Sequence, residues 1–144
     1  MREILFRGKR ADNGEWVESG NVFLDGKKKH IYIPNPDTDM RAKAYLCVEV
    51  IPETIGQYTG LTDKNGKRIF EGDIVAQNWY DYDEPRDDSF GEVVFCEYDC
   101  SFSVMDVEKD GIEPLGSCAA YHWEVEVLGN IHDNPELLKG DNDA

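Results

Sequence analysis

Residues 55–75 read IGQYTGLTDKNGKRIFEGDIV, and this stretch decides the fold class. Asp63-Lys64-Asn65-Gly66 is a turn between two short strand-like runs. Glu71-Gly72-Asp73 then leads directly into the apolar run that begins at Ile74. A Gly-Asp pair that closes a tight turn and sends the chain into a core belongs to small antiparallel β proteins. The same stretch begins like a calcium loop at Asp63 but does not continue as one. Lys67 stands where a ligand belongs, Arg68 where glycine belongs, and Ile74 where a bidentate Glu belongs. A hairpin turn is therefore the expectation.

Working outward, further strands separated by turns are expected on both sides. Ile4 to Arg10 reads as a first strand. Asp12-Asn13-Gly14 follows as a hairpin turn of type I′, because Asn-Gly accepts positive φ. Glu15 to Leu24 reads as the returning strand, with Trp16 near its start. Lys27-Lys28-Lys29 precedes the strand His30-Ile31-Tyr32-Ile33, and Pro34-Asn35-Pro36-Asp37 breaks the chain. Tyr45 to Ile51 mixes Cys47, Val48 and Val50 with Glu49, and Cys47 reads as a core residue. Asp81 to Asp88 is read as a solvated loop from its charge. Glu92 to Tyr98 and Phe102 to Val107 are further strands. Tyr121 to Leu128 alternates, with Tyr121, Trp123, Val125 and Val127 on one face. Near the end, Asn134 can cap a short helix opened by Pro135 and Glu136. The expectation is a mainly β protein: a partly open antiparallel barrel, SH3-like or similar, with an added N-terminal hairpin and a short C-terminal helix. It is read as a single β-rich domain over residues 1–138 with a frayed acidic tail over 139–144.

The chain has 144 residues and a net charge of −15, and the charge is unevenly placed. Residues 1–68 hold 12 basic and 10 acidic residues, whereas residues 69–144 hold 3 and 20. The second half repels a phosphate backbone, so direct binding to nucleic acid is not expected. The basic groups, Lys9-Arg10 and Lys27-Lys28-Lys29, form the counter-argument. They could also meet the acidic half of another copy, which favours a homo-oligomer. No stretch approaches the ~20 apolar residues of a membrane span, and the N-terminus is too short in apolar residues for a signal peptide. A cytoplasmic protein with reduced thiols is expected.

The opening MREILFRGKRADNGEWVESG, the middle IGQYTGLTDKNGKRIFEGDIV and the ending VEVLGNIHDNPELL together resemble the YopX family of phage and prophage proteins. The resemblance implies a small β-rich protein encoded by a phage or an integrated element. It implies no activity, since none is assigned to the family, and it carries over no catalytic residue.

Four residues could hold a metal. Cys96, Cys100, Cys118 and His122 give C-x3-C-x17-C-x3-H, and thiolate and imidazole are the ligand types of tetrahedral zinc. The spacing is not that of a zinc knuckle, and the plain expectation is buried or half-buried thiols with an ordinary strand histidine. Cys–His nucleophile pairs with His30, His122 or His132 lack any spacing that brings them together. Trp16, Trp79, Tyr80, Tyr82 and Trp123 are stacking material, yet Trp79 is followed by Asp81, Asp83 and Glu84 rather than by lysines. No catalytic constellation and no cofactor motif emerges, so the expectation is a non-enzymatic protein. The leading reading is an interaction protein that assembles with itself or with a host protein carrying a basic surface. The alternative is an acidic anti-host inhibitor that occupies a nucleic-acid-binding site. A zinc protein or enzyme is the remote third.

Overall fold

The computed structural model describes residues 3–25, 27–34, 45–81, 84–107, 111–116 and 122–143. The described residues form antiparallel sheets and two 3₁₀ segments, so the mainly β expectation holds. The sheets do not close into a full barrel. Contacts cluster into two compact units, residues 1–58 and 59–144.

Unit 1 opens with β1 (Phe6–Lys9), which pairs with β2 (Trp16–Ser19). The connecting loop differs from the expected type I′ turn. That turn needs positive φ at both central residues, and here Gly14 is positive (φ 75°) while Asn13 is not. The chain instead uses a wider loop. Arg10 N–H bonds to Glu15 O, Gly14 N–H to Arg10 O, and the Asn13 side chain accepts the Glu15 N–H. The strand expected over Glu15 to Leu24 is two strands, β2 and β3 (Val22–Asp25), interrupted at Gly20-Asn21. A Cβ at Gly20 would lie 3.2 Å from Ile4 O, a tight approach that a larger residue would meet only with a small shift of the Ile4 backbone.

β3 pairs with β4 (Lys28–Pro34), and β4 pairs with β5 (Tyr45–Val50). β5 reaches β1 through the Arg10–Val50 bridge and the Ile51 N–H to Lys9 O bond. One face of β3–β4–β5 buries Ile31, Val48 and Val50 against Val17, Val22, Ile33, Leu46 and Ile55. Alternation therefore turns Cys47 and Glu49 to the other face, and Cys47 is exposed. The expectation that Cys47 belongs to the core is corrected: its neighbours Leu46 and Val48 point inward instead. Pro52–Thr54 is a 3₁₀ turn, and β6 (Gly56–Thr62) gives its first residues to β1.

Unit 2 holds the rest of β6, then β7 (Arg68–Phe70), β8 (Asp73–Asp81), β9 (Glu84–Cys96), β10 (Ser101–Asp106), β11 (Gly111–Pro114) and β12 (His122–Asn130). Its five-stranded sheet runs β11-β10-β9-β8-β12. Ile69, Val75, Val93, Val104 and Val125 form the core, with Leu61, Leu115, Trp123 and Val127 packed on it. The alternation expected in β12 is borne out by Trp123, Val125 and Val127. The Asp81 to Asp88 segment is not a loop throughout. Glu84 to Asp88 belongs to β9 and pairs with β8, with Trp79 opposite Asp87 and Asn78 opposite Asp88. The backbone ladder with β8 overrides a composition that reads as loop.

The C-terminal segment Pro135–Asp143 is 3₁₀ helix rather than α-helix. Its sequence, PELLKGDND, ends in residues of low α propensity, and short terminal helices commonly tighten to 3₁₀. Asn134 does not cap forward from its side chain. Its Oδ1 accepts the N–H of Asn130 upstream, while its backbone O accepts the Leu137 N–H.

Candidate functional site

Three buried carboxylates are the first chemistry to place, and all three serve the backbone. Asp63 is 6% exposed. Its Oδ1 accepts the N–H groups of Asn65 (2.9 Å) and Lys67 (2.8 Å), and its Oδ2 accepts the Val127 N–H (3.0 Å). Burial pushes its pKa up, but these three donors and the Lys67 charge outweigh burial and hold it below the ordinary value. Together with Lys64 N–H, which bonds Val125 O, it fastens the β6–β7 turn along the outer edge of β12. Asp73 is 1% exposed and accepts the Phe70 N–H at 2.8 Å across the Glu71-Gly72 turn, where Gly72 has φ 88°. Asp106 accepts the Phe90 N–H at 3.2 Å. With three backbone donors the Asp63 carboxylate is a structural pin, and Asp73 and Asp106 each tie down one backbone N–H. This also removes the calcium-loop reading at Asp63.

The candidate zinc residues are only partly placed. Cys96 ends β9, and Cys100 sits in the following turn. Their thiols reach toward the turn itself, Cys96 Sγ lying 4.0 Å from Asp99 Oδ2 and Cys100 Sγ 3.5 Å from Glu97 O. Cys118 lies outside the described residues, and of His122 only the backbone is described. That backbone stands opposite Tyr80, which stands opposite Pro85. Pro85 and Cys96 are eleven residues apart along β9, about 36 Å of extended strand. The register therefore sets His122 far along the sheet from Cys96 and Cys100. Among the described residues no group of three or more His, Cys, Asp or Glu is gathered as for a metal ion. His132 lies in the loop before the 3₁₀ segment, its N–H bonded to Asn130 Oδ1.

Two surface features stand out, both in unit 1. The first is an open concavity of about 390 Å³ lined by Arg10, Ala11, Asp12, Leu46, Cys47, Val48 and Glu49. Its one guanidinium is already engaged, since Arg10 Nε and Nη2 bond both oxygens of Asp12 at 2.9 and 2.8 Å. The second adjoins it: the outer face of β3–β4–β5. Register places Phe23, Lys28, His30, Tyr32, Tyr45, Cys47 and Glu49 together on that face. Phe23 and Tyr32 meet edge to face with centroids 6.4 Å apart. Cys47 faces Tyr32 across the strands and raises its phenol pKa, mainly by hydrogen bonding and then by charge. The sequence alone does not mark this face as a whole. The alternation in His30-Ile31-Tyr32-Ile33 signals it, but Phe23 and Tyr45 join it only through pairing of separate strands.

The charge also has a place. Unit 1 holds nine basic and nine acidic residues, whereas unit 2 holds six basic and twenty-one acidic. The entire net charge of −15 therefore belongs to unit 2.

The family model described as YopX protein matches residues 5–139, nearly the whole chain and both units. The chain belongs to the YopX family. No curated protein matches it. Among the described residues no helix of this YopX protein is long and apolar enough to cross a membrane.

Proposed function

We propose that this YopX protein is a non-enzymatic, phage- or prophage-encoded interaction protein that works in the host cytoplasm. In this reading its acidic unit docks on a protein with a basic surface. The observation that carries it is the confinement of the whole net charge to one compact unit, the other having no net charge. An acidic surface of that size steers a basic partner and gives salt-sensitive association. The buried carboxylates of unit 2 are consistent with the reading, since each accepts backbone N–H groups.

The test is capture from host lysate on the immobilised chain, with stepwise salt elution. Basic proteins released as salt rises are expected, with retention reduced by the surface reversals Glu97→Lys and Glu124→Lys. Retention indifferent to salt and to both reversals would overturn the reading. The same acidic unit supports a second reading, an inhibitor that occupies a nucleic-acid-binding site. Competition separates the two: added DNA displaces the captured protein only in the second. A second copy is the competing occupant, with Lys9, Arg10 and Lys27 to Lys29 as its basic side, and sedimentation equilibrium at low and high salt reports it.

A further inference from the structure

We propose that the outer face of β3–β4–β5 in unit 1 is a binding platform for unpaired nucleic acid, with Phe23, Tyr32 and Tyr45 stacking bases and Lys27 and Lys28 holding phosphates. Three observations converge on it. First, the face is aromatic and open. Phe23 is 50% exposed and Tyr45 58% exposed, on a face whose opposite side is the core of Ile31, Val48 and Val50. The platform is therefore backed by the core, with the Phe23 and Tyr45 rings exposed and His30 and Tyr32 half-buried between them. Tyr45 lies diagonal to Tyr32 across β4 and β5, roughly 7–8 Å away by sheet geometry, so the three rings step across adjacent strands. A line of rings on a sheet accepts successive bases through their π faces, and this needs no sequence match.

Second, cations stand at the platform and are weakly committed. Lys28 is on the same face, and its side chain is 73% exposed. Its partner Glu49 is 3.8 Å away, a loose pair of small worth. A phosphate can replace that carboxylate. Lys27 is exposed in the adjoining turn. Asp25, at the register position opposite Lys28, and Glu49 equal the two lysines in number, so the platform carries no surplus of positive charge. Stacking supplies most of the affinity, and charge supplies orientation.

Third, the charge that argues against nucleic acid belongs to unit 2. The sequence-based expectation of no direct binding rests on the field of the whole chain, and unit 1 by itself carries no net charge. At physiological salt the Debye length is about 8 Å, so acidic groups farther than that from a strand on β3–β5 are largely screened. An acidic partner protein would satisfy the lysines but leave the rings unexplained. Carboxylates gain nothing from an aromatic face, whereas a nucleotide uses both features at once.

The experiment is fluorescence anisotropy of labelled oligothymidine with the full chain at physiological salt, alongside an abasic oligomer that has the same phosphates and no bases. Saturable binding of oligothymidine at micromolar protein is expected, with the abasic oligomer at least tenfold weaker. Phe23→Ala and Tyr32→Ala should each weaken binding by about tenfold, and both sites are on the outer face, away from the core. The triple change Lys27→Glu/Lys28→Glu/Lys29→Glu should weaken it at least tenfold while leaving the preference over the abasic oligomer. The log–log salt slope should be shallow, about −1.4 for two phosphate contacts on a single strand. Circular dichroism unchanged in the alanine variants shows that the fold is kept. Lys28→Gln, the milder change, keeps the test open if any variant unfolds, and it should flatten the salt slope while leaving the preference over the abasic oligomer. Absence of binding overturns the proposal, as does equal binding of the two oligomers or binding indifferent to Phe23 and Tyr32. Concentration-dependent dimerisation that is lost in Phe23→Ala, without oligothymidine binding, overturns it in favour of an interface between two copies.

Discussion

Replacing Asp63 tests the central structural argument, because one carboxylate there ties the turn that identifies the fold to the edge strand of the sheet. Asp63→Ala removes the acceptor for three N–H groups, those of Asn65, Lys67 and Val127. A hydrogen bond to a charged group contributes roughly 1.5–3 kcal/mol, and a donor left buried without an acceptor costs about 1–3 kcal/mol. Water can reach part of the turn, since Lys64 to Lys67 are exposed. The expected loss is therefore about 3 kcal/mol rather than the full sum. Asp63→Asn keeps one acceptor oxygen but turns an amide N–H toward a donor, so a loss of about 2 kcal/mol is expected. Urea unfolding followed by tryptophan fluorescence measures both. The pH dependence gives an independent check. The folded pKa of Asp63 is lowered, so its stabilisation is fully present above the ordinary carboxylate value of 3.8 and is lost as pH falls through the folded value. The gap between wild type and Asp63→Asn should therefore close below that point. A loss under about 1 kcal/mol in Asp63→Ala, or a gap independent of pH, would refute the pin.

Four further outcomes follow from single contacts. A Cβ on Gly91 would lie within 1.8 Å of Met105 O, so Gly91→Ala must move backbone in the β9–β10 ladder; a loss of about 3 kcal/mol or failure to fold is expected by thermal unfolding. Cys100 is the only non-glycine residue with positive φ (53°) among the described residues, so Cys100→Gly should stabilise by about 1 kcal/mol in urea titrations. Gln77 is fully buried, donating to Pro114 O and accepting the Trp123 indole N–H at 2.9 Å. Gln77→Met should cost about 2 kcal/mol and shift tryptophan emission. Burial raises the Glu92 pKa, so its charged form is disfavoured in the fold and stability falls as pH rises through that range; Glu92→Gln should stabilise at neutral pH and lose the advantage in acid.

The sequence is most legible where local chemistry and tertiary pairing agree. Gly72-Asp73 is such a place: the turn needs positive φ, and the next residue needs an acceptor for Phe70 N–H. The alternation of Trp123, Val125 and Val127 is another, because one face of β12 meets the core directly. Legibility fails where a distant strand decides. Cys47 reads as core from its composition, but its orientation follows from Leu46 and Val48, which β4 draws inward. Glu84 to Asp88 reads as loop because its charges favour water, yet its backbone pairs with β8 on both sides of a register shift at Trp79/Tyr80. Asn13-Gly14 signals a turn correctly and its type wrongly, since the wider loop is closed by Arg10 and Glu15. The aromatic platform was illegible for the same reason. Phe23, Tyr32 and Tyr45 are far apart in the chain, and only the register of β3, β4 and β5 makes them neighbours.

The two surfaces also constrain each other. Large exposed apolar side chains such as Phe23 and Tyr45 promote association between copies, and an open β face beside them increases the hazard. A net charge of −15 opposes that association, because copies brought close repel one another. If the charge were spread evenly, it would repel a nucleic acid from every side as well. Its confinement to unit 2 leaves unit 1 with no net charge of its own. Charge segregation thus reconciles a strongly acidic chain with a platform whose chemistry suits nucleotides. It also sets an order among the tests. On the two proposals, raising salt is expected to weaken docking on unit 2 steeply and base stacking on unit 1 only slightly, so a single salt titration separates them.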